Sequence, residues 1–163
     1  MKNSIEKVQE QLNSFTSNFL SVVISTITKE QKPYTSYAPF VFHDGQYYFL
    51  ISMIAKHYEN LKADQNASIM FIEDETQTSN IFFRKRLSYA VSTILDVKDD
   101  LVKSEFFKRF GDMASMLFKM DFLIVKCDIN NGRFVIGPGQ AYDIDENKQI
   151  INQVTNPKGH SKK

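Results

Sequence analysis

The residues whose types could do chemistry are few in this chain: His43, His57, His160, the basic run Arg84-Lys85-Arg86, Asp121 and Cys127. His43 stands beside Asp44-Gly45 and reads as an exposed turn residue. His57 lies on a helical run, on a face apart from Leu61, and reads as a surface or interface imidazole. His160 directly follows Gly159 in the polar end NPKGHSKK, where glycine leaves the backbone free to turn. A neutral imidazole is a metal ligand or a proton carrier. Arg84 and Arg86 are one residue apart, so on a strand they point to the same face, where two cations suit an anionic ligand. Cys127 sits in the apolar run FLIVKCDI and reads as a core thiol.

Several chemistries lack their residues. No nucleophile elbow supports a hydrolase triad. Gly137-Pro138-Gly139 precedes a strand rather than a helix, so it is no phosphate loop. No His or Cys spacing fits zinc, and a single cysteine excludes a disulfide framework. The charge of +1, from 20 basic and 19 acidic residues, argues against a nucleic-acid surface. No apolar run approaches the roughly 20 residues a membrane helix needs, and the polar start MKNSIEKVQEQLN lacks a signal core. The expectation is a soluble, cytoplasmic protein.

The elements that must position these residues follow from periodicity. Ile5, Val8, Leu12, Phe15 and Phe19 recur at three- and four-residue steps, which predicts a helix closing one end of a barrel. Leu20–Thr28 is β-branched and apolar. Pro33–Lys62 reads as strand, Asp-Gly turn, strand and helix, with Ser52 as the helix cap and Ile54, Tyr58 and Leu61 on one face. Asn66–Ile72 and Leu87–Val97 are strands. Asp99–Met120 is the longest helical segment, interrupted at Gly111. Phe122–Ile129 is a buried strand, and Asn130-Asn131-Gly132 predicts a tight turn returning through Arg133–Ile136. After Gly137-Pro138-Gly139, Ala141–Ile144 continues that strand. This order predicts a mainly β protein, an antiparallel β-barrel with peripheral helices. The split is a barrel domain over residues 1–145 and a flexible C-terminal tail over 146–163.

The motifs SYAPF (36–40), IAKH (54–57), SIMFIEDE (68–75), RKRL (84–87), MDF (120–122), GRFVIGPGQAY (132–142) and Gly159-His160 occur in this order. Together they resemble the haem-utilisation proteins of the HugZ/HutZ type, which use the split β-barrel of the pyridoxamine-phosphate-oxidase superfamily. The chain departs from that pattern at Pro138, Met53 and Lys56.

The resemblance implies a dimeric split barrel, FMN-binding-like in fold, with haem near the subunit interface. It implies His160 as the haem-iron ligand, Arg86 with Arg84 facing the haem or its propionates, Asp121 supporting the proximal side, and His57 as a further haem-site residue. Arg86 and Asp121 are the residues it assigns to catalysis. The implied function is haem binding and oxidative haem degradation for iron acquisition, with an unidentified electron donor. The alternatives are a haem carrier or store without turnover, and an FMN-dependent oxidoreductase whose Arg84-Lys85-Arg86 run would hold the FMN phosphate.

Overall fold

A computed structural model describes residues 5–155. Six antiparallel strands close into a barrel in the order β3-β2-β1-β4-β5-β6, because β3 also pairs with β6. They are β1 (Ser21–Ile27), β2 (Pro33–His43), β3 (Gln46–Ser52), β4 (Asn66–Ile72), β5 (Arg86–Ile94) and β6 (Phe122–Gly137). Two further strands, β7 (Gln140–Ile144) and β8 (Ile150–Gln153), extend the sheet beyond β6. The expected antiparallel split barrel with peripheral helices is therefore what the chain forms.

Alternation explains the closure. In β5, Leu87, Tyr89, Val91 and Thr93 face inward and Arg86, Ser88, Ala90 and Ser92 face outward. The interior is aromatic: Phe71 packs against Phe40 and Tyr47 with centroids 5.0 and 5.1 Å away, and Tyr89 lies 5.9 Å from Tyr47. Each fully buried ring contributes about 1.5–3 kcal/mol of hydrophobic stabilisation. Burial pushes the Tyr47 hydroxyl up to about 12, and it is satisfied by Thr16 Oγ1 at 2.9 Å.

Helix α1 (Ile5–Phe15) closes one end of the barrel, as its periodicity predicts, burying Val8 and Leu12. The Asp44-Gly45 hairpin also forms, with both residues at positive φ, as a primed turn requires. Outside the barrel, Val102 and Phe106 of α3 (Asp100–Phe110) and Ala114 of α4 (Asp112–Phe118) pack on Val41, Tyr48, Leu50 and Ile124. Gly111, at φ 59° and ψ −137°, separates these two helices, so the long helical segment is two pieces.

Three expectations are corrected along β6 and beyond. Asn130-Asn131-Gly132 is no turn: β6 runs through it for 16 residues with a bulge near Asn130. The reason is close packing, since a Cβ on Gly132 would lie 2.5 Å from Tyr89 Cδ1. Ala141–Ile144 does not continue β6 but returns antiparallel to it. The polar stretch after Asp145 adds β8, paired with β7. Gln9 of α1 fastens it there, donating to Lys148 O (3.0 Å) and accepting from Ile150 N (2.9 Å).

Candidate functional site

Asp121 lies just ahead of β6, where Ser52 at the end of β3 pairs with Phe122. Ser52 Oγ donates to Asp121 Oδ2 at 2.5 Å and accepts from Ile54 N at 3.2 Å. Asp121 O accepts from Met53 N at 3.0 Å. The hydroxyl of Ser52 beside it holds the Asp121 carboxyl below the usual aspartate range, so the group is ionised at neutral pH. Ser52 is thus a latch for Asp121 and not the cap of α2 (Lys56–Ala63), whose first turn follows Ala55 with no side-chain cap. Ile54 precedes that helix and is 91% exposed, so it shares no buried face with Leu61.

Helix α2 turns His57, Asn60 and Leu61 into the protein. These positions are three and four residues apart and share one face, which corrects the reading of His57 as lying on a face apart from Leu61. His57 Nδ1 and Ser36 Oγ are hydrogen-bonded at 2.7 Å, and Asn60 Nδ2 donates to Thr26 Oγ1 at 3.0 Å. Burial lowers the His57 pKa, which keeps the ring neutral at physiological pH. His57 and Asp121 lie at the same end of the barrel, but no hydrogen bond joins them among the described residues.

Arg84 and Arg86 lie at the other end, and they do not share a strand face. Arg84 follows a short 3₁₀ turn, Ile81–Phe83. Its guanidinium is occupied: Nε donates to Glu73 O at 2.9 Å, Nη2 donates to the same oxygen, and Nη1 bonds Glu75 Oε1 at 3.2 Å. Arg86 opens β5 opposite Ile72 and Val135 and faces outward. It donates once, to Arg84 O at 3.2 Å, and no carboxylate pairs with it among the described residues.

The two ends are far apart. Thirteen positions of β6 separate Phe122 from Val135, a strand path of roughly 40 Å. Among the described residues no hydrogen bond joins Arg86 to Asp121; their side-chain partners are Arg84 O and Ser52 Oγ. Between them runs an outer wall formed by residues 33–39 of β2 with β1, β4 and β5. Its outward side chains are Ser, Thr, Pro, Ala, Val, Ile, Met, Asn and Tyr, and Arg86 is the one charge among them. Among the described residues no helix covers this wall, whereas α3 and α4 cover the opposite one.

The remaining expected residues are less informative. His43 ends β2 opposite Gln46. Cys127 is buried, which raises its thiol pKa and leaves it unreactive. His160 lies outside the described residues. No cluster of three metal-ligating side chains occurs among the described residues. An open cleft of about 790 Å³ lies at the Arg84 end, floored by Phe15, Phe19 and Phe134. A hollow of about 500 Å³ lies beside Met53, Ile54 and Tyr58. Sequence reading placed Ser36 in a motif and Ser52 at a helix cap, and missed that they bond His57 and Asp121.

Comparison with known proteins places this geometry. Residues 8–126 match the family described as pyridoxamine 5′-phosphate oxidase. The haem oxygenase HutZ of Vibrio cholerae is 33% identical over 161 residues, 96% of this chain and 91% of that protein. The crystal structure of Campylobacter jejuni ChuZ superposes with a TM-score of 0.85 at 35% identity, covering 96% of this chain and 67% of that one. A crystal structure of Vibrio cholerae HutZ, named there as a haem storage protein, gives a TM-score of 0.67 at 28% identity, covering 82% and 92%. A full-length relative above 30% identity and a fold shared barrel for barrel lead to one conclusion: the chain belongs to the pyridoxamine 5′-phosphate oxidase family, in its HugZ/HutZ-type branch.

Proposed function

We propose that two copies of this chain bind haem between their uncharged walls and degrade it oxidatively. The observation that carries the reading is the full-length likeness to a protein named as a haem oxygenase. The chain's own chemistry fits the ligand. An uncharged wall with one unpaired arginine suits a largely apolar, doubly anionic plate, and Arg86 is the group for a propionate. Met53, Ile54 and Met120, all exposed beside Asp121, suit the porphyrin edge. Haem, when bound, supplies an iron that binds dioxygen and the ring that is opened.

His160, outside the described residues, is the residue proposed to hold the haem iron, and the ionised Asp121 carboxylate would orient its ring. In this reading Arg86 and Asp121 of one site come from different copies. Val154 N donates to Ala141 O, Ala141 pairs with Val135, and Val135 with Arg86. The chain therefore leaves the sheet about three strand spacings, ~14 Å, from Arg86. His160 is five residues past Thr155, a reach of at most about 17 Å. His57, neutral and near Asp121, is the supporting imidazole.

Haem titration followed by its Soret band, then addition of ascorbate in air, tests the reading. Binding followed by loss of the band with release of iron and carbon monoxide is expected. A Soret band that survives the reductant would instead favour a carrier or store, the role the second HutZ description states. Arg86→Ala is expected to weaken haem binding about 10- to 100-fold, the loss of one charge-assisted hydrogen bond. His160→Ala is expected to change the iron spin state. A chain that binds no haem and takes up FMN would sink the proposal, although Arg84, committed to Glu73 and Glu75, is not free to hold an FMN phosphate.

A further inference from the structure

Helix α1 carries an apolar stripe that runs beyond what closes the barrel. Val8 and Leu12 are buried. Phe15 and Phe19, the next members at three- and four-residue steps, are half-buried, and Leu20 is 60% exposed. These side chains line the open cleft of about 790 Å³, a size common for small-molecule sites. Its floor is aromatic. The Phe15 ring lies 5.1 Å from Phe19 and 5.2 Å from Phe134, tilted by 57° and 59°, and Phe19 rests on Phe71 at 5.8 Å. The tilted rings form a concave apolar surface open to water, which closing the barrel end does not require.

Both walls are held in shape. On one side α1 continues into a short 3₁₀ turn, Thr16–Asn18, anchored by Thr16 Oγ1 on the buried Tyr47 hydroxyl. On the other, Arg84 ties the β4–β5 connection to Glu73 and Glu75, and Asp74 accepts from Thr76 N at 2.8 Å. The charges at this end balance, Glu73, Asp74 and Glu75 against Arg84, Lys85 and Arg86, so neither a cation nor an anion is favoured. The neutral groups therefore decide the ligand. Gln11 and Asn18 line the cleft, and their side-chain amides bond no other group among the described residues. A primary amide sets a donor beside an acceptor, the pattern that pairs in two bonds with a matching heterocycle edge.

We propose that this cleft binds an uncharged planar heteroaromatic ligand of two or three fused rings. Its faces meet the phenylalanines, and its N–H and C=O edge meets Gln11 and Asn18. The site is separate from the proposed haem surface, because Arg86 faces outward from the barrel whereas Phe134 is buried inside it. It stands or falls without haem.

Quinazoline-2,4-dione, uncharged at neutral pH, tests this against quinoline, which has two fused rings without the N–H and C=O edge. Calorimetric titration of the haem-free protein is expected to show saturable binding of one dione per chain, tighter than quinoline. Gln11→Leu and Asn18→Leu are each expected to weaken the dione roughly 2- to 10-fold, the loss of one neutral hydrogen bond, and to leave quinoline unchanged. Ser14 is exposed and lines the cleft, so Ser14→Trp is expected to fill it and abolish binding of both compounds at the parent's melting temperature. Absence of saturable binding at millimolar dione overturns the site. Equal weakening of dione and quinoline by Gln11→Leu and Asn18→Leu overturns the ligand class. Parent-like dione binding by a folded Ser14→Trp protein overturns the location, and displacement of the dione by haem overturns the separation from the haem surface.

Discussion

His57 is buried without a charged partner, bonded through Nδ1 to a serine, and its environment disfavours the charged ring. In the unfolded chain the ring titrates near its reference value of about 6.5. Below that pH the unfolded state binds a proton that the folded state resists, so stability falls as pH drops and is fully present above it. The urea midpoint is expected to decrease between neutral pH and mildly acidic pH, and to decrease less in His57→Gln. Equal slopes for the two proteins would mean that other groups carry the pH dependence. Arg84 and Arg86 make a contrast at the same scale. They look alike in sequence, yet Arg84 spends its donors on a main-chain oxygen and a carboxylate, while Arg86 keeps most of its fork free. Residue type was legible; the occupancy of the guanidinium was not, because its partners Glu73 and Glu75 come from the far side of a loop.

At the scale of elements, β6 shows what local propensity cannot decide. Asn-Asn-Gly is turn chemistry, and in isolation it favours reversal. Here the strands on either side impose continuity: Gly132 pairs with Tyr89 and Arg133 with Ser88. The glycine is present for space. A Cβ there would lie 2.5 Å from the Tyr89 ring and 2.7 Å from Ser88 O, and the oxygen belongs to a fixed strand. Gly132→Ala is expected to cost about 1–3 kcal/mol through overpacking, read as a lower urea midpoint. A stability equal to the parent's would show that Tyr89 swings clear at no cost. The helical segment after Asp99 makes the reverse point, since both its periodicity and its interruption at Gly111 were legible, and the backbone added that the interruption separates two helices.

The whole molecule has two outer walls. One is sealed by α3 and α4; the other, made by β2, β1, β4 and β5, is uncharged but for Arg86. Ser68 lies near the centre of that wall, paired with Ser25 and Ala90. The proposed pairing of two copies through this wall would bury Ser68, so Ser68→Glu is expected to weaken or abolish that association, because a buried unpaired carboxylate is costly. The monomer's own stability should change within about 0.5 kcal/mol, since the site is on its surface. Sedimentation and thermal melting of the same samples separate the two effects. An unchanged dimer would place the interface elsewhere.

Periodicity located five of the six barrel strands, the first half of β6, the closing helix and the Asp-Gly hairpin, because the patterning of a segment is legible without its distant partners. Motif order added the family, since the matched segments are the ones that build the barrel. Three things waited for the tertiary structure. His57 turned inward because Ser36, on a strand twenty-one residues earlier in the chain, met it across the barrel end. Asp121 gained its latch because Ser52 reached the same end along β3, its partner strand in the closure. Arg86 and Asp121 proved to lie at opposite ends of one long strand. Distance along a chain does not reveal distance in space once a sheet closes on itself, and so the placement of these residues became visible only in the folded molecule.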